Sequence, residues 1–188
     1  MKKLLIGTLL LIAGVAHCGQ LTYTTAKTQA LLNRVNETGW AVYFGSTNSL
    51  TVAGDRNQIE IDGLGSATET NYLPATSGNL WVSNQIVSGN TGNAFECRLQ
   101  FQADPAQSSD THFDVEWDIG GAGTNVISTR TITSPKGADP FVVSIAIPLF
   151  SLGTFVTNGC SIFINADSAQ DFTITNFSIM VKQDYFDN

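Results

Sequence analysis

The chain has 188 residues, with 9 Lys+Arg, 16 Asp+Glu and 2 His, for a formal net charge of −7. A length near 200 residues predicts one domain, and 13% charged against 43% hydrophobic residues excludes a chain disordered throughout. The scarcity of Lys and Arg excludes a nucleic-acid binder, whose affinity rests on phosphate contacts, and two histidines leave little for histidine-based catalysis.

Residues 1–20 differ from the rest. Lys2 and Lys3 precede an apolar run from Leu4 to Ala16, followed by His17, Cys18 and Gly19. A basic start, a short apolar core and small residues near its end have the layout of a bacterial secretory signal. The run of roughly 13 residues falls short of the ~20 a bilayer span requires. A lipoprotein signal carries a small residue before its cysteine, and His17 stands there instead. Two fates fit this leader: removal on export, or retention as an apolar tail that docks in an assembly.

Residues 21–39 read LTYTTAKTQALLNRVNETG and predict a short helix. Thr24 or Thr25 can cap its start by accepting a free backbone N–H. Ala26, Ala30, Leu31 and Val35 fall near one face, with Leu32 beside them, and Gly39 can close the helix in the left-handed conformation. About three turns of helix are marginal alone in water, so this stripe must pack on something. Its own domain is one candidate; an oligomer axis or a partner is the other.

From Trp40 to the C-terminus the apolar period is 2. Phe95, Cys97, Leu99 and Phe101 alternate with Glu96, Arg98, Gln100 and Gln102; Phe113, Val115, Trp117 and Ile119 alternate with Asp114, Glu116 and Asp118. Side chains of a strand alternate between faces, so these are half-buried strands. Residues 140–148, PFVVSIAIP, are apolar on both faces, as suits a central or partner-covered strand. In residues 160–165, Cys160, Ile162 and Ile164 alternate with Ser161, Phe163 and Asn165. Phe172 and Ile174 share one parity and Phe177, Ile179 and Val181 the other, a face switch that predicts a β-bulge at Thr175–Asn176. Weaker strand signals cover residues 40–44, 50–53, 58–62, 80–87 and 125–134. No helical pattern follows residue 39. About 8–10 strands joined by Gly-, Asn-, Asp- and Ser-rich turns describe an all-β, antiparallel jelly-roll-like sandwich over residues 40–188, preceded by the short helix.

Chemistry-bearing motifs are few. Nucleophile elbows, P-loops and zinc signatures are missing from the sequence, so no catalytic residue, metal site or cofactor is assigned and the chain is read as a non-enzyme. His112 stands beside Asp110 and Asp114, yet neither a nucleophile nor a pocket accompanies it in sequence. Asp114, Glu116 and Asp118 share a strand face but spread over about 13 Å, too far for one Ca²⁺ site, and Arg98 or Arg130 on neighbouring strands are the expected partners. Asp167 and Asp171 lie in a polar turn without EF-hand spacing. Cys97 and Cys160 fit either a disulfide in an oxidising compartment or two buried thiols. Tyr72 and Trp81 are candidates for stacking on a glycan, with core burial as the alternative.

Several stretches together resemble the small virion proteins of tailed bacteriophages. They are the Tyr-Thr-rich start with its QALLNRVNETG helix, FDVEWDIGG (113–121), PFVVSIAIPLF (140–150), SLGTFVTNG (151–159) and DFTITNFSIMVKQ (171–183). The resemblance is to jelly-roll fibre, head-fibre or capsid-decoration proteins. It implies a homotrimer on the virion surface, attached to other virion proteins through its N-terminal segment, with loops facing outward toward a host glycan or receptor. The docking or trimerising residues it implies lie around Tyr23, Ala26, Ala30, Leu31, Leu32 and Val35. A secreted bacterial β-sandwich, either a glycan-binding module or a filament subunit, is the alternative. The apolar residues on both faces of 141–147 and 160–164 suggest that part of the outer surface is covered, as a trimer interface would do.

Overall fold

The computed structural model describes residues 25–32, 37–45, 50–61, 69–70, 72–75, 78–137, 139–167 and 169–184. The chain divides into two compact units, Met1–Asn36 and Glu37–Asn188. In the first, residues 25–32 form helix α1, with every described side chain exposed.

The described residues of the second unit form strands, one short helix and connecting loops, with Glu37 also helical. Its strands are β1 (Gly39–Phe44), β2 (Leu50–Ala53), β3 (Arg56–Gln58), β4 (Trp81–Val82), β5 (Gln85–Ile86), β6 (Ala94–Pro105), β7 (His112–Ile119), β8 (Val126–Thr133), β9 (Phe141–Phe150), β10 (Cys160–Asn165) and β11 (Asp171–Asp184). Sheet A has the order β1-β11-β6-β9, with β2 also on β11; sheet B has the order β4-β5-β10-β7-β8, with β3 also on β10. All pairings are antiparallel.

The pairing defines the winding. The pairs β1–β11, β3–β10, β6–β9 and β7–β8 are nested, as in one long hairpin whose tip lies between β7 and β8. The pairs β11–β6 and β10–β7 then roll that hairpin into two sheets. This double wrapping is a jelly roll, so the expected two-sheet antiparallel sandwich is the observed fold.

Period-2 patterning produces the core. Leu99, Phe101, Phe113, Val115, Trp117, Phe172, Ile174, Ile179 and Val181 are all at most 1% exposed. The ring of Phe113 meets Phe172 edge-on at 4.8 Å and Phe101 at 6.0 Å, and Phe101 reaches Phe177 at 5.8 Å. These rings tie sheet B to sheet A. The face switch in β11 is a bulge: the register shifts between Thr175 and Ser178, and Asn176 takes φ 56°. Asparagine tolerates the left-handed region better than most residues, and its Nδ2 donates to Gln102 Oε1 at 3.2 Å. The extra residue returns Phe177, Ile179 and Val181 to the core.

Four features depart from the sequence expectations. A short helix, α2 (Gly153–Asn158), interrupts the β pattern. Its buried Phe155 stacks on Phe95 at 5.8 Å, and it ends at Gly159, φ 67°, whose N–H donates to Phe155 O at 2.8 Å. Strand β9 is an edge strand rather than a central one: Val143, Ile145, Ile147 and Leu149 face the core while the alternate residues are exposed. The outer face of β10 is covered, as expected, but by this chain's own side chains, as described below. The residue 80–87 segment forms two 2-residue strands around Ser83 and Asn84, φ 53° and 62°. Two successive positive φ values are those of a type I′ hairpin turn.

Both edges on the β8–β9 side are blunted. Ser151 N–H donates to Asn93 O at 2.9 Å, and the β6–β9 register is unbroken. Odd-numbered residues of β9 therefore bond to β6, and Pro148, which has no N–H, faces the free edge. On β8, exposed Arg130 lies opposite core residue Val115 and so points to the inner side of the sheet edge. Prolines and inward-pointing charges on edge strands oppose edge-to-edge pairing.

Candidate interaction surfaces and polar clusters

The residues proposed for docking occupy α1 only in part. Tyr23 and Val35 lie outside the described residues. Ala26, Ala30, Leu31 and Leu32 are exposed, Leu31 by 63% and Leu32 by 49%.

The pair proposed for glycan stacking does not form a platform. Trp81 is 6% exposed and belongs to the core, because the β4–β5 hairpin turns it inward. Next to it, Tyr43 Oη accepts hydrogen bonds from Leu80 N at 2.9 Å and Trp81 N at 3.2 Å. Tyr72 is exposed, but one ring face lies on Trp40, with centroids 4.5 Å apart and planes at 14°.

Cys97 on β6 and Cys160 on β10 are free thiols, both buried, rather than a bridge. Burial pushes each thiol up to about 12, with the Trp117 side chain opposing this for Cys97. For Cys160 the neighbouring Cys97 and the Asp118 carboxylate push in the same direction as burial. An unfolded thiol near 9.0 ionises before these native ones do. The native state then binds more protons, so stability falls as pH rises from about 9 toward 12. Denaturant unfolding across that range is expected to show this loss, and the Cys97→Ala/Cys160→Ala double variant is expected to reduce its slope. In the native protein at neutral pH, both thiols are expected to resist a thiol-specific reagent until the chain unfolds; rapid labelling would contradict their burial.

The carboxylate row on β7 finds a cation that the sequence does not point to. Arg56 of β3, not Arg98 or Arg130, reaches Glu116 Oε2 through Nε at 2.7 Å and Asp118 Oδ2 through Nη2 at 2.9 Å. Its Nη1 donates to Gly121 O at 3.3 Å, and the guanidinium lies 3.5 Å from the centroid of the Phe163 ring. Asp118 is fully buried, and its Oδ2 also accepts the Gly123 N–H at 2.6 Å. Asn165 Nδ2 donates to Glu116 Oε1 at 3.3 Å. Ser161 Oγ accepts from Gln58 and Gln85 at 3.3 and 3.2 Å. A planar guanidinium with donors on three sides and an aromatic face beneath it is well suited to this position. The cluster fastens the β7–β8 turn over the outer face of β10 and so covers Ser161 and Phe163. Arg98 pairs instead with Glu96 at 2.6 Å.

At the far end of β7, His112 Nε2 stands 3.5 Å from Asp167 Oδ2, and its Nδ1 is 3.0 Å from Thr111 Oγ1. The Thr111 backbone N–H donates to Gln170 Oε1. Asp110 is buried and accepts the Gln107 N–H at 2.7 Å, so it caps its own loop and does not join His112. With the His112 and Asp167 side chains 44% and 74% exposed, this is a surface clasp between the start of β7 and the loop after β10. No group of three His, Cys, Asp or Glu suited to a metal occurs among the described residues.

The outer side of β9, whose apolar residues in sequence point to a central or partner-covered strand, is left open by the described residues of this chain. Val142, Phe150 and, just beyond the strand, Leu152 are exposed by 66%, 61% and 66%. A groove of about 410 Å³ lies beside Phe150, lined also by Ala94, Glu96, Ala146, Pro148 and Asp184.

No protein-family model matches the chain, and no curated protein matches it. Among solved structures, the Eiger TNF of S. frugiperda is similar at TM-score 0.49 and 15% identity, covering 80% of this chain and 96% of that one. The protein of Bacillus endospore appendages, described as disulfide-linked pili, is similar at TM-score 0.40 and 9% identity, over 79% of this chain and 91% of that one. The PRD1 vertex protein P5 is similar at TM-score 0.41 and 12% identity, over 80% and 74%. The jelly-roll assignment stands on the strand pairing itself.

Proposed function

We propose that the chain is a structural subunit of a virion surface: a homotrimeric jelly roll of the fibre or capsid-decoration type. In this reading α1 is the docking or trimerising segment, other virion proteins anchor it, and the jelly-roll loops face a host glycan or receptor. The observation that carries the reading is the exposure of Leu31 and Leu32 on α1. A short helix is marginal alone, and leucines left to water are stabilised by burial against another chain at roughly 25 cal/mol per Å². The blunted strand edges and the scarcity of charged residues suit a module that associates through side chains rather than through open sheet edges.

The basic-apolar start at Lys2, Lys3 and Leu4–Ala16 favours a second reading, a secreted or cell-surface bacterial sandwich. Purifying particles from the producing culture separates the two. Mass spectrometry of those particles is expected to recover the chain at stoichiometric levels. Recovery only from the particle-free medium or the cell envelope would contradict the virion assignment.

A further inference from the structure

We infer that the outer face of sheet A along β9 is where the jelly-roll unit of one copy meets a second copy of this chain. The inference rests on the self-association proposed above and names its surface.

Val142, Ala146, Pro148 and Phe150 stand on one side of the strand, all exposed. From Val142 to Phe150 the strand covers about 26 Å at ~3.3 Å per residue. Beside the Phe150 end of this stripe the charges on β6 and β11 are paired, whereas exposed Asp104 of β6 stands beyond Gln102 at the Val142 end without an ion pair among the described residues. Glu96 pairs with Arg98 at 2.6 Å and Lys182 with Asp184 at 2.9 Å. The Phe150 end of the face therefore carries no net charge, on a chain whose formal charge is −7. Two copies of an acidic chain repel over most of their surface. The charge-balanced, apolar Phe150 end is where a like-charged copy can approach at least cost, whereas a strongly basic partner would find no net negative charge there to bind.

Shape points to the same occupant. The groove beside Phe150 has small residues, Ala94 and Ala146, next to the large exposed ring. One face thus offers both a projecting side chain and a recess, the requirement for contact between identical surfaces. Pro148 and Arg130 disfavour edge-to-edge strand pairing, which leaves packing through the face.

The test is sedimentation of the full-length chain at micromolar concentration, with circular dichroism as a check of folding. Phe150→Asp is expected to stay folded and to weaken association by roughly thirtyfold, as removal of an anchoring interface aromatic does. Val142→Asp, at the other end of the stripe, is expected to weaken it in the same direction and serves if Phe150→Asp fails to fold. Ile127→Asp, on β8, is expected to leave association unchanged. An oligomeric wild type with unaltered Phe150→Asp and Val142→Asp variants would overturn this surface and leave the proposed function standing. A monomeric wild type would overturn both.

Discussion

Replacing Arg56 by alanine is expected to lower the unfolding free energy by about 3 kcal/mol. Asp118 is fully buried, and its Oδ2 takes two hydrogen bonds, from Arg56 and from Gly123 N–H. Without the guanidinium, a carboxylate is left inside the protein with one backbone donor. The loss comes mainly from that stranded charge, since the Arg56 side chain itself keeps 24% exposure. This places the effect at the lower end of the range for broken buried pairs. The loss of packing on Phe163 adds to it, because the arginine stem and guanidinium shield the ring. Guanidinium unfolding at fixed protein concentration measures the change. The Arg56→Ala/Asp118→Ala double variant is expected to lose less than the sum of the two single losses, since the partners act as a unit. A loss below about 1 kcal/mol for Arg56→Ala, the scale of an exposed ion pair, would show that the cluster is merely superficial.

Phe101→Ala is expected to cost about 3–5 kcal/mol, the usual result of emptying a large aromatic site in a core. Phe101 is 1% exposed on β6 and touches Phe113 of sheet B and Phe177 just after the β11 bulge. The cavity would open between the two sheets, where neither can move inward without disturbing ladders on both its sides. A domain of this size is stable by only about 5–15 kcal/mol, so the variant stands near the limit of folding. Phe101→Leu is expected to lose markedly less, because it removes fewer contacts. The denaturation midpoint should fall with little change in slope, the sign of a weakened but still cooperative fold.

The sequence made the long strands legible for a simple reason. β6, β7 and β11 are half-buried, so their apolar residues alternate, and even the bulge in β11 shows as a parity switch at Thr175–Asn176. Strand β9 leaves two alternatives open in sequence, a central or a partner-covered strand, because Val142, Ala146 and Phe150 are apolar, and they are not covered within the chain. An apolar residue in sequence marks a preference for burial, and only the sheet order reveals that β9 is an edge. The partner of the β7 carboxylates was hidden for a different reason. Arg56 is 60 residues from Glu116, and only the neighbouring pairs β3–β10 and β10–β7 bring them together. Helix α2 carries no start signal: its N-cap is Leu152, without a side-chain cap bond, and its first turn has no acidic residue. Trp81 could not be assigned to a face because its strand is two residues long. For the docking stripe, α1 is helical over residues 25–32, within the predicted 21–39, while Gly39, expected to close the helix, opens β1 instead; the leucines of α1 stay exposed, which is why the partner rather than the fold is the question they raise.

The most direct measurement of the central claim is the solution mass of the full-length chain by light scattering at micromolar concentration. A homotrimer gives three times the 20.1 kDa chain mass. A single species at 20.1 kDa would contradict self-association, and with it both the role proposed for the protein and the surface proposed along β9.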